Sequence, residues 1–167
     1  HFINAHKEQG ERASAVEAWD DYTKKRVELY EAYERQCQRE GVVDFAELLL
    51  RSYELLERNE NVRRHYQQRF RHILVDEFQD TNKLQYRWLK LLAAHPAPDG
   101  ACLFAVGDDD QSIYAFRGAD VGNMRDFERE FHVDKVVRLE QNYRSQGNIL
   151  DAANAIIKHN EARLGKN

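Results

Sequence analysis

The chain contains 167 residues, of which 42% are hydrophobic and 32% are charged, and its formal net charge is −4. This composition predicts a folded globular protein and excludes an intrinsically disordered one. No apolar run reaches the ~20 residues of a membrane-spanning helix, and the first ten residues lack the apolar core of a signal peptide. With a negative net charge, contact with nucleic acid has to come from a local patch of the surface.

The first part of the chain predicts only helices. Apolar side chains recur at spacings of three, four and seven over residues 15–39, which indicates one long helix that Gly41 ends. The charged runs between 24 and 71 are predicted to be solvated helix faces.

Asp44 is the predicted N-cap of the next helix, with Glu47 at the capping-box position. The expected apolar face of that helix consists of Phe45, Leu48, Leu49, Tyr53 and Leu56. A shorter amphipathic segment around Tyr66 leads to the first strand.

The rest of the chain alternates strands and helices. Buried strands are predicted at 73–75 and 102–106, a third strand at 135–142, and a helix after each. Thr81 is the predicted N-cap of the first of these helices, and Ser145 that of the last. Such alternation predicts an α/β fold with a parallel sheet and helical crossovers, preceded by the all-helical segment. Ligands of these sheets lie beyond the carboxyl ends of the strands, where the three polar clusters are expected to converge.

Three carboxylates, Asp76, Glu77 and Asp80, follow the first strand directly. An acidic pair at the tip of a parallel strand suits a magnesium site, where one carboxylate holds the ion and its neighbour orients or deprotonates a water molecule. The alternative is a solvated strand end in which Asp80 or Thr81 caps the next helix.

The segment 107–120 is too polar and too long for a tight turn. It places Gln111 beside three acidic residues and then brings Tyr114, Phe116 and Arg117 close together. Aromatic side chains interleaved with arginine suit single-stranded nucleic acid, on which each stacked base contributes ~1–3 kcal/mol. The alternative is a loop whose aromatic rings fold back onto the core.

Tyr143 and Arg144 follow the third predicted strand. Arg144 has the geometry to bind a γ-phosphate with two hydrogen bonds, and Tyr143 can stack on a base. The alternative, a helix start capped by Ser145, is compatible with these roles. The seven histidines and the cysteines Cys37 and Cys102 show no zinc-ligand spacing and no disulfide framework.

Several segments resemble signature motifs of the UvrD/PcrA/Rep family of superfamily 1 DNA helicases. Three occur in the family's order, namely ILVDEFQDTN at 73–82, VGDDDQSIYAFRGAD at 106–120 and LEQNYRS at 139–145. The resemblance extends over nearly the whole chain through INAHKEQG, GVVDFAELLLR and ANAIIKHNEARLGKN. It implies a partial RecA-like fold of the P-loop NTPase class.

The resemblance also implies roles in binding and hydrolysing ATP with Mg²⁺. Asp76, with Glu77 beside it, would serve the metal ion, and Glu77 would be the general base for the attacking water. Gln79 and Asp80 would support the site. Gln111 would sense the γ-phosphate and couple it to the DNA side.

Further roles follow for the later motifs. Arg144 would reach the γ-phosphate from the second motor lobe, and Tyr143 would stack on the adenine. Tyr114, Phe116 and Arg117 would contact single-stranded DNA. The family often has tryptophan where Phe116 stands, so a weaker stacking platform is expected.

No GxxxxGK[ST] phosphate loop occurs in the chain. The resemblance therefore implies an interior part of a longer helicase that is inactive alone. Residues 1–40 would end an inserted helical subdomain, 41–134 would form part of the first motor lobe, and 135–167 would begin the second. The strand missing beside 73–75 would leave an apolar sheet edge through which the chain is expected to self-associate.

The implied parent is a bacterial 3′-to-5′ helicase of DNA repair, acting in the cytoplasm at the nucleoid. Its partners would be single-stranded DNA, duplex junctions and repair proteins, without a membrane. Two alternatives stay open at this point. One is the motor of a recombination helicase–nuclease, and the other is a module that only binds DNA or a protein partner.

Overall fold

The computed structural model describes residues 1–94, 100–115 and 118–159. The helices are α1 Phe2–Gln9, α2 Asp21–Glu40, α3 Phe45–Arg58, α4 Glu60–Arg69, α5 Lys83–Leu92, α6 Gly122–Glu130 and α7 Gly147–Ile157. The strands are β1 His72–Val75 and β2 Cys102–Ala105. Short 3-10 turns lie at Ala13–Ala15, Phe78–Asp80 and Asp109–Gln111. Among the helices of these residues, none combines the length and apolar character needed to cross a bilayer.

Helix α2 begins later than the periodicity predicts. Asp20 is its N-cap and accepts a hydrogen bond of 2.8 Å from the backbone N–H of Thr23. Trp19 therefore lies before the helix, and 85% of its surface is exposed. The predicted end is confirmed, because Gly41 adopts the left-handed conformation with φ 66°. Hydrophobic spacing continued across the cap and did not show where the helix starts.

The cap of α3 is confirmed, but its apolar face is partly wrong. Asp44 Oδ1 accepts a hydrogen bond of 2.7 Å from the backbone N–H of Glu47. Leu50 and Leu56 are buried, whereas Phe45 is 91% exposed and Leu48 is also exposed. The face that packs is rotated toward Leu50 because α3 contacts both α1 and α5.

Seven charged residues form a network between α1, α2 and α3, here named the Glu47 cluster. Its members are Lys7, Arg12, Glu34, Asp44, Glu47, Arg51 and Glu54. Lys7 Nζ lies 2.8 Å from Asp44 Oδ2 and 2.9 Å from Glu47 Oε2, and its side chain is only 2% exposed. The prediction of solvated charged faces is wrong for Glu47, because this carboxylate is buried among cations instead of closing a capping box.

The Glu47 cluster makes stability depend on acid pH. Burial by itself raises the pKa of Glu47, but hydrogen bonds from Arg12, Arg51 and Lys7 lower it from 4.5 to about 2. Because this pKa is lower in the folded chain, the stabilisation is complete above pH 4.5 and is lost as the pH falls toward 2. We expect the unfolding free energy from urea titrations to fall by about 3 kcal/mol over this window through Glu47 alone. The Glu47→Gln variant should show a clearly shallower acid slope, and an unchanged slope would contradict the assignment.

Strands β1 and β2 pair in parallel, from His72 opposite Cys102 to Val75 opposite Ala105. One face of the sheet covers the core, whose centre is Phe78, Tyr86 and Leu89. Residues packed against this centre are Ile73, Val75, Trp88, Ala105, Met124, Phe127 and Phe131.

The opposite face of the sheet is bare, so the prediction of two buried strands is only half right. Leu74 is 76% exposed and Phe104 is 60% exposed on that face. Within the described residues each strand pairs with one neighbour. The outer edge of β1 is therefore unpaired, as expected, and the outer edge of β2 is unpaired as well. Self-association through these edges stays a prediction.

The third predicted strand is absent from the described residues. Residues 133–142 carry no strand pairing, and Val136, Val137 and Leu139 are exposed. An alternating apolar segment becomes a strand only where another strand supplies hydrogen-bond partners, and β1 and β2 do not reach this one. The described residues thus form a mostly helical mixed fold with a parallel two-stranded sheet, which is consistent with the predicted α/β class. The RecA-like assignment stays a prediction.

Two predicted helix caps are wrong. Asn82, not Thr81, caps α5 through a complete capping box with Gln85. The Thr81 hydroxyl donates instead to the carbonyl of Phe78 at 2.7 Å, inside the preceding turn. Ser145 does not cap α7, because its backbone N–H is bound to Asn142 Oδ1 and Gln146 occupies the cap position.

Candidate functional site

The carboxyl ends of β1 and β2 lie side by side and carry the first two polar clusters. The N–H of Val106 donates to the carbonyl of Val75 at 2.8 Å, and the N–H of Phe78 donates to the carbonyl of Val106 at 2.9 Å. The chain therefore leaves both strands in register and places 76–80 against 107–111. This convergence confirms the expectation for two of the three clusters.

Asp76 and Glu77 stand at the tip of β1 with exposed side chains. Asp76 Oδ1 accepts the backbone N–H of Glu77 at 2.9 Å. Glu77 adopts the left-handed conformation with φ 50°, which is unfavourable for a residue with a side chain and costs on the order of 1–3 kcal/mol. The fold thus holds one of the predicted catalytic residues in a strained backbone conformation.

Gln79 is buried beneath this tip and is 1% exposed. Its Nε2 donates to Glu77 Oε2 at 2.7 Å, and its Oε1 accepts the backbone N–H of Asp108 at 2.9 Å. Gly107 permits this contact, since a Cβ there would lie 2.8 Å from Gln79 Oε1. The sequence predicts Gln79 as a site residue but not Gly107 or Asp108, because nothing in the spacing of residues indicates this contact.

Asp80 belongs to the turn Phe78–Asp80 and not to the start of α5. Its Oδ1 is buried, and within the described part of the chain no hydrogen-bond partner reaches it. The role of Asp80 as a helix cap is therefore wrong, and its role as a supporting residue stays a prediction.

The oxygen chemistry of the two loops fits a hard cation such as Mg²⁺, which prefers carboxylate and water oxygens. Asp76 and Glu77 present carboxylates at the tip, and the orphaned oxygen of Asp80 lies in the same turn. Asp108, Asp109 and Asp110 each bring one oxygen to within 4.8 Å of the others. The sequence predicts only the acidic group after β1 as a ligand set, and the second group becomes visible in the structure.

Gln111 closes the turn Asp109–Gln111, and its Nε2 donates to Asp108 Oδ2 at 2.9 Å. Tyr114 follows as a half-buried residue, while Phe116 and Arg117 lie outside the described residues. The end of this loop returns to the acidic turn, because the N–H of Asp120 donates to the carbonyl of Thr81 at 3.0 Å. The contacts predicted for Tyr114, Phe116 and Arg117 stay predictions.

A cavity of about 620 Å³ separates α1 from the segment that follows Tyr114. Its lining includes Asn4, Glu8, Lys83, Ala115 and Gly118. Burial raises the pKa of Glu8, whose side chain approaches Gly118. The loop predicted to bind DNA thus borders an open groove with both a lysine and a carboxyl group.

The third cluster does not join the other two. Tyr143 is exposed, and the backbone N–H of Arg144 donates to Asn142 Oδ1 at 2.8 Å. In residues 1–94, 100–115 and 118–159, no hydrogen bond or ion pair links Tyr143 or Arg144 to the strand tips. The third strand that was expected to deliver them is the one that the structure lacks.

Comparison with known proteins decides the family. The family model for the UvrD/REP helicase N-terminal domain matches residues 1–132. The chain belongs to the UvrD/REP helicase family. This confirms the resemblance, whose first two motifs lie inside the matched residues.

Curated relatives in the UvrD/REP helicase family match almost the whole chain. DNA helicase II of Haemophilus influenzae is 49% identical over 99% of this chain and 22% of its own length. DNA helicase II of Escherichia coli is 48% identical over the same shares. The ATP-dependent DNA helicase PcrA of Staphylococcus epidermidis is 45% identical over 90% of this chain and 20% of its own length. The chain thus spans about a fifth of the length of the curated relatives it matches.

Proposed function

We propose that this chain supplies the hydrolytic carboxylates of an ATP-dependent DNA helicase that moves 3′ to 5′ along single-stranded DNA during repair. The proposal is carried by one observation: the acidic turn 76–80 contacts the glutamine-bearing loop 107–111 at the carboxyl ends of β1 and β2. The names of the relatives, DNA helicase II and PcrA, support DNA as the partner.

Within this proposal, the chain's own residues divide the work of hydrolysis. Asp76 and Glu77 would hold Mg²⁺, which neutralises charge on the phosphates when it is bound with ATP. Glu77 Oε2 is held by Gln79, which leaves Oε1 to orient the attacking water and accept its proton. Gln111 lies on the facing loop and would sense the γ-phosphate.

Phosphate release tests the proposal directly. The full-length protein that contains this chain should hydrolyse ATP, and single-stranded DNA should stimulate it. The 167-residue chain alone should not, because it contains no GxxxxGK[ST] segment to hold the phosphates. A full-length protein without DNA-stimulated hydrolysis would contradict the proposed function. Rapid turnover by the isolated chain would contradict the need for a phosphate loop.

The stacking role of Phe116 gives a second prediction. Phe116→Ala should weaken binding of a labelled oligonucleotide by the full-length protein by ~1–3 kcal/mol, because one aromatic platform is lost. Phe116→Trp should tighten binding, since indole offers a larger stacking surface. Fluorescence anisotropy at two salt concentrations should show the same salt slope for both variants, as neither changes a phosphate contact. Equal affinities for all three proteins would exclude Phe116 from the interface.

A further inference from the structure

Three hydrogen bonds connect four residues across the two strand-end loops. Gln79 Nε2 donates to Glu77 Oε2 at 2.7 Å, and the backbone N–H of Asp108 donates to Gln79 Oε1 at 2.9 Å. Gln111 Nε2 then donates to Asp108 Oδ2 at 2.9 Å. The chain of contacts runs from the proposed base to the proposed γ-phosphate sensor.

The donor and the acceptor in each hydrogen bond of Gln79 are fixed by the chemistry of its neighbours. A backbone N–H can only donate and an ionised carboxylate can only accept, so Gln79 fits both neighbours in one orientation of its amide. Its side chain is 1% exposed, which limits the access of water to its amide group. The bond to Glu77 also involves a charged acceptor, which makes it stronger than a neutral hydrogen bond.

The backbone on both sides of Gln79 leaves its side chain little room to move. Gly107 brings the second loop so close that a Cβ there would lie 2.8 Å from Gln79 Oε1. Glu77 is held at φ 50°, a conformation that its surroundings have to maintain. A shift of the 107–111 loop therefore moves Gln79, and with it the carboxylate of Glu77.

We infer that Gln79 and Asp108 are positioning residues, which make the placement of Glu77 depend on the loop that carries Gln111. The inference rests on the proposed function for its consequence, which is that the base is aligned only when the sensor loop is in place.

A double-mutant cycle in the full-length protein tests this coupling. Gln79→Leu should lower kcat of DNA-stimulated hydrolysis by roughly 10-fold to 100-fold while KM for ATP changes by less than about 2-fold, because the base is misplaced and the nucleotide contacts are kept. In a Gln111→Ala background the same change should cost less than about 3-fold, since the contact between Gln111 and Asp108 that ties the sensor to Gln79 is already lost. If the losses in kcat of the two single variants multiply in the double variant, the inference is overturned. Gln68→Leu, the same replacement on the exposed surface of α4, is the control and should keep the wild-type kcat.

Gln79→Met guards against a variant that fails to fold. It keeps the length of the side chain and places no second carboxylate beside Glu77, but it loses the donor to Glu77, so kcat should fall in a protein whose thermal unfolding midpoint shows that it is folded. A folded Gln79→Met protein with wild-type kcat would overturn the inference.

Hydrogen exchange separates this inference from the proposed function. Glu77→Ala releases Gln79, so exchange of the Asp108 amide in the full-length protein should become faster, whereas Gln68→Leu should leave it unchanged. If the wild type shows no DNA-stimulated hydrolysis but exchange responds, the proposed function fails and the link stands. If the wild type is active and exchange does not respond, the link fails and the function stands.

Discussion

Replacing Glu77 with glutamine in the full-length protein is expected to lower DNA-stimulated ATP hydrolysis by about 10²-fold to 10⁴-fold, the usual contribution of a general base. The amide keeps the size of the side chain and can still accept a hydrogen bond from Gln79 Nε2, so the turn should stay intact. It cannot take a proton from water. Phosphate release under saturating ATP and DNA measures the effect. ATP binding should persist, because the amide keeps an oxygen for Mg²⁺ and Asp76 keeps its carboxylate.

Glu128→Gln is the matched control for this substitution. It makes the same chemical change on the exposed surface of α6 and should leave the rate unaltered. If Glu77→Gln hydrolyses ATP at the rate of the wild type, Glu77 is not the base and the assignment of the acidic turn has to be abandoned.

Removing the carboxylate at the centre of the Glu47 cluster is expected to have the largest effect on stability. Glu47→Ala should lower the unfolding free energy of the chain by about 3–5 kcal/mol, the typical cost of breaking a buried ion pair by removing one partner. Lys7, only 2% exposed, would be left with Asp44 as its remaining carboxylate contact among the described residues. Urea unfolding followed by circular dichroism measures the change.

Two further variants separate the buried charge from the loss of side-chain volume. Glu28→Ala removes an exposed carboxylate that pairs with Lys25 on α2, and it should change the unfolding free energy little. Lys7→Met in the Glu47→Leu background removes the orphaned charge and should recover part of the stability lost in Glu47→Leu. Equal losses in Glu47→Ala and Glu28→Ala would show that the cluster does not stabilise the fold.

The sequence predicts a helix cap correctly where no adjacent residue is a better cap. Asp44 was identified as a cap because nothing beside it offers a better one, whereas Thr81 precedes Asn82, which forms the complete capping box. The prediction of a third strand is wrong for a different reason. Its apolar pattern is present, but no strand among the described residues pairs with it. An alternating apolar pattern shows that a segment favours the extended conformation. Whether it joins a sheet depends on the strand that lies beside it.

The candidate site was predictable to the extent that it follows a strand end. Asp76, Glu77 and Gln111 were found because both strands and their polar ends are visible in the sequence. The bond from Gln79 to the N–H of Asp108 joins residues 29 apart and involves a backbone group that every residue has. The burial of Glu47 escaped for a similar reason, because Lys7 and Arg12 lie 40 and 35 positions away from it.

At position 77, catalysis and folding favour different amino acids. Glycine adopts a φ of 50° at no steric cost, whereas the proposed reaction needs a side chain that accepts a proton, which glycine lacks. A variant library selected for heat resistance alone would therefore enrich glycine at this position and discard the activity. Selection on hydrolysis would retain glutamate and accept a less stable turn.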